Sequence, residues 1–520
     1  MRESCSNWNV SETMQTVFGK KGEQNDAWLT ITITAGACLV AAVLFFIIYG
    51  SCLNAQEIEQ PRVVLNGIWI EHGMKAGLTA CVCLAVFHRK RQDRQQVILL
   101  YLMLMGMIMR IGYMLYTPYA LRSHDVLMAC GHADYIKELI AGHLPMTNNY
   151  QFYHPPLFHV LAAGMALTFG KLTGIREIPV LLEAGKLVSC WASILTLGIF
   201  RELCRELNLG KTGTLIAISL TAFLPEHYLL AGRLNNDSLS VMFMAGVLLF
   251  TLRWWLTRSL KDLMILALCY GLGIMTKVSV GTFSVITGAI MLHVLYLNIK
   301  EGTGKRCFFH YMVFAGIAFP LALWYPVRNL VLFGQPFTYV FPIEPGSPGY
   351  VGNISLLARF LPRFDNYIYA DPYRDYNVWT YIVRTSVFGE FKYDIPLWIP
   401  QVLQVCAGIL AIVSLLAIAH VFAFNRRYEE QLQSAMSQDK VLALCWAITI
   451  IFYIWFNIRY PFGCTMDFRY VVPTAMIGSL LIGRWADLRG NGIIQEYETY
   501  MLWILTGMFS ITSCLMYVMI

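Results

Sequence analysis

Residues 122–159, RSHDVLMACGHADYIKELIAGHLPMTNNYQFYHPPLFH, hold five histidines, two aspartates and a Pro-Pro pair. Imidazoles mixed with carboxylates can ligate a divalent metal, and His124, Asp125 and His132 are the candidates for such a site. Their spacing matches no compact zinc motif such as HExxH. The competing expectation is that His132 and His154 hydrogen-bond within the loop or touch an anionic substrate. His143 and His159 complete the set, and Asp134 and Glu138 add further carboxylates. A carboxylate in a pocket can orient a hydroxyl or take its proton.

The elements that must position these residues are membrane-length. Hydrophobic residues make up 57% and charged residues 14% of 520, with mean hydropathy +0.54, which no water-soluble core accommodates. The fold expected is an all-α integral membrane bundle. A crossing needs about 20 mostly apolar residues, and thirteen segments approach that: 28–50, 66–87, 97–118, 179–200, 212–232, 237–256, 263–277, 279–298, 308–328, 397–424, 441–460, 470–487 and 501–519. Glu71, His72 and Lys75 make 66–87 the weakest. Residues 28–50 are too long and too far from the start for a cleavable signal, so insertion by the first span is expected.

Basic breaks at HRKRQDR (88–94), RELCREL (201–207), TRSLKD (257–262), KEGTGKR (300–306) and FNRRYEE (424–430) fall on one side of alternating spans and mark the cytoplasmic face. The net charge of +7 therefore reports topology, not a nucleic-acid partner. Residues 119–155, 225–237, 329–396 and 460–470 then share the outer face. The long stretch 329–396 is too rich in Pro, Gly and aromatics for a disordered linker and is expected to cap that face.

Lys277, Arg328 and Arg469 stand at outer span ends, against the cytoplasmic bias of the other basic residues. Each alone is as readily a snorkelling side chain as a ligand. Three on one face beside Asp125, Asp237 and Asp467 favour an anionic ligand, with a lipid phosphate as the natural candidate. Within the spans, Glu183 and Lys186 are one turn apart and read as a pair, while Arg110 receives no role. Most cysteines lie in apolar runs; Cys130 and Cys464 are the outer-face exceptions, and nothing in their spacing supports a disulfide. No GxxxxGK[ST] loop or GxGxxG turn is present, so coupling to ATP is not supported.

The ordered pieces HD (124–125), GHADYI, YHPPLFH, LNNDSLS, TK (276–277), WYPVRNLVLFGQP and DFRYVVP resemble the C-type glycosyltransferases. Within them the chain is most similar to the group of dolichyl-phosphate-mannose protein mannosyltransferases and aminoarabinose transferases. The resemblance runs over 97–487, the expected catalytic module, leaving 1–96 with two accessory spans and 488–520 with the last span outside it.

That resemblance implies a bundle of about 13 spans with juxtamembrane helices, a polyprenyl or dolichyl phosphate sugar donor, and inverting transfer on the non-cytoplasmic face. The essential loop aspartate of the family falls on Asp125; many relatives have Asp-Glu there, whereas this chain has HDV. Lys277, Arg328 and Arg469 would hold the donor phosphate, and 156–171 would be a juxtamembrane helix. Some relatives bind a divalent metal beside the acid, so a metal remains an open cofactor. The acceptor is a glycan, lipid or protein, and the membrane is a bacterial plasma membrane by preference, the endoplasmic reticulum second. The rival readings are a secondary transporter, which internal repeats would signal, and a non-catalytic lipid-binding protein in which Asp125 is idle.

Overall fold

The computed structural model describes residues 21–50, 52, 61–87, 94–123, 125–337, 339–342, 344–347, 349–362, 376–424, 437–487 and 493–519. In chain order the helices are α1 (Lys21–Tyr49), α2 (Pro61–Phe87), α3 (Arg94–Tyr116), α4 (His132–Ile140), α5 (Leu157–Thr173), α6 (Ile178–Glu206), α7 (Lys211–Ala222), α8 (Pro225–Gly232) and α9 (Asp237–Thr257). There follow α10 (Leu260–Thr276), α11 (Ser284–Lys300), α12 (Gly304–Phe333), α13 (Leu356–Phe360), α14 (Val378–Phe388), α15 (Trp398–Phe424), α16 (Gln438–Arg459), α17 (Val472–Asp487) and α18 (Ile493–Val518). No strand forms among the described residues; a lone bridge joins Tyr350 to Phe462.

All thirteen expected segments are helical, but they are not thirteen equivalent spans. Among the described residues nine helices are long and apolar enough to cross a membrane, and a tenth span arises if the bent pair α7–α8 counts as one. The segments 66–87, 263–277 and 470–487 fall outside that group: α2 carries Glu71, His72 and Lys75, while α10 and α17 have only 17 and 16 residues. The chain is thus an integral multi-pass membrane protein, with nine or ten full-length apolar spans among its described residues. Helix α5, at 17 residues, is as short as the juxtamembrane reading requires.

Burial places α6 at the centre, with 89% of its apolar window enclosed. It packs against α1, α3, α5, α8 and α9. The α7–α8 pair bends by 43° because Pro225 cannot donate to the preceding turn. The break frees backbone carbonyls in a buried region, and Arg110 supplies the donors. Its Nη1 lies 2.8 Å from Ala222 O and 2.8 Å from Gly106 O, Nη2 is 3.3 Å from Thr221 O, and Nε donates to Ser193 Oγ at 3.0 Å. Arg110 therefore satisfies the carbonyls of a broken span.

Two of the expected outer stretches turn out to be partly helical, the first of them overlapping the expected span 212–232. Residues 225–232 form α8, wholly buried, and 329–396 contains the end of α12, α13 and the buried α14. At one end of the bundle, which also carries the 117–156 loop, the 349–362 segment is pinned to 457–463. Val351 N donates to Pro461 O at 2.9 Å, Gly463 N to Gly349 O at 2.8 Å and Arg359 Nη2 to Asn457 O at 2.7 Å. The opposite end is closed by ordinary polar ties: Asp487 accepts from Gly210 N at 2.6 Å and Gly213 N at 2.9 Å, and Arg484 pairs with Asp439 at 3.2 Å.

Candidate functional site

The polar loops converge on one constellation built from four distant stretches of chain. The first is the loop after α3. Arg122, Asp125, Cys130 and Tyr150 all take positive φ (52°, 63°, 60° and 46°), a concentration of sparsely populated backbone at the segment that presents Asp125. The loop is held by the start of α4: His132 N donates to Asp125 O at 2.9 Å and Ala133 N to Val126 O at 3.2 Å. Gly131 fits there because it lacks a side chain. A Cβ at that position would stand 2.6–2.7 Å from the carbonyl oxygens of Val126, Asp125 and Met128. Gly131→Ala therefore shifts the loop at Asp125, and amide hydrogen exchange over 125–133 is expected to rise about tenfold with the helical circular-dichroism signal unchanged.

The second stretch is LNND (234–237), where each amide has a separate task. Asn235 Nδ2 donates to Asp237 Oδ2 at 3.0 Å, and Asn236 Nδ2 donates to Thr276 O at 3.2 Å, tying the start of α9 to the end of α10. The third is Lys277. It leaves α10 in an extended conformation (φ −156°, ψ 128°) before the 3-10 turn Val278–Phe283, so its ammonium reaches Asp237 as an ion pair. The fourth is DFRY. Here Asp467 Oδ1 accepts from Arg469 N at 3.0 Å, which sets the turn that aims the guanidinium inward.

Arg469 joins the four. Its Nη1 and Nη2 each lie 3.2 Å from Asp125 Oδ2, Nη1 is 4.0 Å from Asp237 Oδ2, and Nε is 3.9 Å from Asp467 Oδ2. Tyr150 donates its hydroxyl to Asp125 Oδ1, and burial together with that carboxylate raises its pKa, so it stays a donor. Tyr470 lies beneath both cations, its ring centroid 4.9 Å from Lys277 Nζ and 5.1 Å from Arg469 Cζ. The three carboxylates differ in access: Asp125 keeps 23% of its side-chain surface exposed, Asp237 4% and Asp467 none. Asp125 is the one an incoming molecule can touch.

Arg328 and the histidines sit elsewhere. Arg328 donates from Nη2 to Pro145 O at 2.7 Å and from Nη1 to Asn329 Oδ1 at 2.9 Å, bracing the first loop from α12 without an ion pair to the cluster. His132 and His159 are hydrogen-bonded ring to ring, Nδ1 to Nε2, at 2.9 Å. His154 stacks on His132 at 6.3 Å, and Tyr135 stacks on His159 at 3.9 Å. No group of three metal-capable side chains gathers among the described residues, and His124 lies outside them. Cys130 and Cys464 are free thiols.

Burial lowers the His132 pKa from 6.5 to about 4 and also depresses that of His154. Both are neutral in the fold at neutral pH, whereas the unfolded chain takes up protons below about 6.5. Stability conferred by neutral His132 is thus complete above 6.5 and is lost as pH falls from there through about 4. The thermal midpoint of the detergent-purified protein is expected to drop across that window, and the drop should be shallower in His132→Gln.

Tyr150 carries no sequence signal of its own, whereas Tyr470, Asn235, Asn236 and Gly131 stand inside DFRYVVP, LNNDSLS and GHADYI with no role assigned to them by the sequence. Behind Asp467 lies a further buried set, with Glu226 paired to Arg233 at 3.2 Å and Tyr381 donating to Glu390 at 2.5 Å. Burial, reinforced by Glu390, raises the Asp467 carboxyl above the usual carboxylate range. Over the loop, Phe341 meets Tyr150 and Tyr339 meets Tyr153 edge-on at 5.9 and 5.4 Å, so part of 329–396 covers the stretch holding Asp125.

Chemically, the arrangement offers one accessible carboxylate next to two cations on a membrane-embedded scaffold, suited to a hydroxyl on one side and a phosphate on the other. Compared with curated proteins, the chain matches none. Residues 153–328, which contain YHPPLFH, Asp237 and Lys277, match the family described as dolichyl-phosphate-mannose-protein mannosyltransferase, and through that segment the chain is similar to this group of multi-pass C-type glycosyltransferases.

Proposed function

We propose that the protein is a membrane glycosyltransferase that moves a sugar from a polyprenyl or dolichyl phosphate donor to an acceptor hydroxyl on the non-cytoplasmic face, with inversion at the anomeric carbon. The observation that carries this reading is the meeting of Asp125, Asp237, Lys277 and Arg469 at one end of the bundle, from positions up to 344 residues apart. The similarity over 153–328 supports the reaction class.

In this reading the acceptor oxygen forms a bond to the anomeric carbon as the bond to the donor phosphate oxygen breaks on the opposite face. Asp125 orients the acceptor hydroxyl and takes its proton. Lys277 and Arg469 hold the phosphate and stabilise the charge that grows on it; a lipid phosphate is already a good leaving group, so no general acid is required. A phosphate oxygen competes with Asp125 for the two N–H groups of Arg469. Once it takes them, Asp125 Oδ2 gives up its two guanidinium donors and turns to accept from the acceptor hydroxyl. Arg328 belongs to the loop's support in this scheme. The 97–487 region forms the catalytic module, with 1–96 and the last span as additions.

The test is purified protein incubated with a radiolabelled polyprenyl-phosphate sugar and a membrane-extract acceptor. Transfer to the acceptor, or release of free sugar, is the expected result. Ion-dependent uptake into vesicles without either product would replace this reading by transport.

A further inference from the structure

We infer that α1, a span outside the residues matched to the family, is a positioning element for the Asp125 loop and acts through Tyr49; the inference rests on the functional reading above. The root of that loop is the end of α3. The last carbonyls of a helix have no partner within it, and here they are buried: Met114 and Thr117 have 0% and 1% exposure. Each is served from another helix. Lys186 Nζ donates to Met114 O at 3.0 Å and Thr117 O at 2.7 Å, and Tyr49 OH donates to Leu115 O at 2.9 Å. On the far side of the turn, Tyr119 N donates to Glu183 Oε1 at 3.0 Å, and Glu183 pairs with Lys186 at 2.5 Å.

The Tyr49 ring closes the arrangement, its centroid 5.1 Å from Lys186 Nζ. Tyr49 is itself fixed. It stacks on Phe45 at 4.7 Å, Phe45 and Phe46 meet Phe169 of α5 at 5.3 and 5.1 Å, and Trp191 Nε1 of α6 donates to Cys38 O at 2.9 Å. The opposite stripe of α1, with Leu39, Val43 and Ile47, is exposed and faces lipid. A span packed along one stripe thus ends in a phenol that pins the helix from which the Asp125 loop departs.

Full-length protein in nanodiscs tests this with Tyr49→Phe, which removes only a hydroxyl, and with the charge-neutral pair Glu183→Gln/Lys186→Met. Amide hydrogen exchange over 117–135 should rise about fivefold in Tyr49→Phe, the equilibrium factor of one ordinary hydrogen bond, and by more in the pair, which loses both Lys186 donations. Exchange in the middle of α3 and α6 should stay at the wild-type rate. The turnover number should fall several-fold while the KM for a polyprenyl-phosphate sugar stays within twofold, a split that general destabilisation does not produce. Unchanged exchange over 117–135 in Tyr49→Phe overturns the positioning role of α1 whatever the activity, and a rise confined to the Glu183→Gln/Lys186→Met pair assigns that role to α6 instead. Raised exchange in a protein whose wild type transfers no sugar overturns the functional reading and leaves the positioning role standing.

Discussion

Asp125→Asn is expected to lower sugar transfer by about 10²–10⁴-fold, the range for removal of a positioned acid–base group. Asn keeps the size of the side chain and still offers an oxygen to Tyr150, so the loop retains its main anchor. It cannot accept a proton, and its amide would turn a donor toward the guanidinium that now holds Asp125 Oδ2. Asp237→Asn serves as the control for charge alone. Asp237 is buried and engaged by Lys277 and Asn235, so its loss should weaken donor binding more than turnover. The measurement is initial rate against donor concentration for both variants, with elution from gel filtration showing that each remains folded. Full activity in Asp125→Asn removes Asp125 from the chemistry and favours a protein in which this loop only binds lipid.

How much of this was legible in the sequence differs by kind of residue. Helix positions were plain, because runs of apolar side chains long enough to cross a bilayer have few alternatives. The bend at Pro225 and the burial of 225–232 were not. A short polar-punctuated segment reads as a loop unless the tertiary donors from Arg110 that let it sit inside are known. Lys277 and Arg469 stood out by type and by their place at span ends, and the structure brings them together with Asp125 and Asp237. Arg328 satisfied the same criterion yet turns to Pro145 O, since position along a span does not fix the direction a long side chain takes.

The histidines draw attention by number, but His132 and His159 each give one ring nitrogen, Nδ1 and Nε2, to the other. Tyr150 does not stand out among 28 tyrosines in a chain where most are expected at the lipid boundary, and Tyr470 stands in DFRYVVP without a role of its own. Glu226, Arg233, Tyr381 and Glu390 were missed for a similar reason: their meeting depends on α8 and α14 being inside the bundle. The Glu183–Lys186 pair was read correctly as a pair, while its work on the carbonyls of α3 needed the fold.

Arg469→Lys carries the second large effect. The substitution keeps the charge, so what it tests is the fork. Arg469 spreads over three carboxylates, with two N–H groups on Asp125, an approach to Asp237 at 4.0 Å and one to Asp467 at 3.9 Å, and it places Nη2 3.3 Å from the Tyr470 hydroxyl. An ammonium is a single point of charge and cannot reproduce the two parallel N–H groups that pass from Asp125 Oδ2 to a phosphate oxygen. The loss should resemble removal of a preorganised donor from a developing oxyanion, about 10²–10³-fold in kcat/KM. Most of it should appear in kcat, because the charge that draws the donor remains while the geometry that stabilises the departing phosphate does not. Lys277→Arg, which keeps charge and adds a fork at a site that uses only one contact to Asp237, should cost far less. Equal losses in the two variants would mean that the cluster acts by net charge alone, and an unaltered kcat in Arg469→Lys would take Arg469 out of the reacting site.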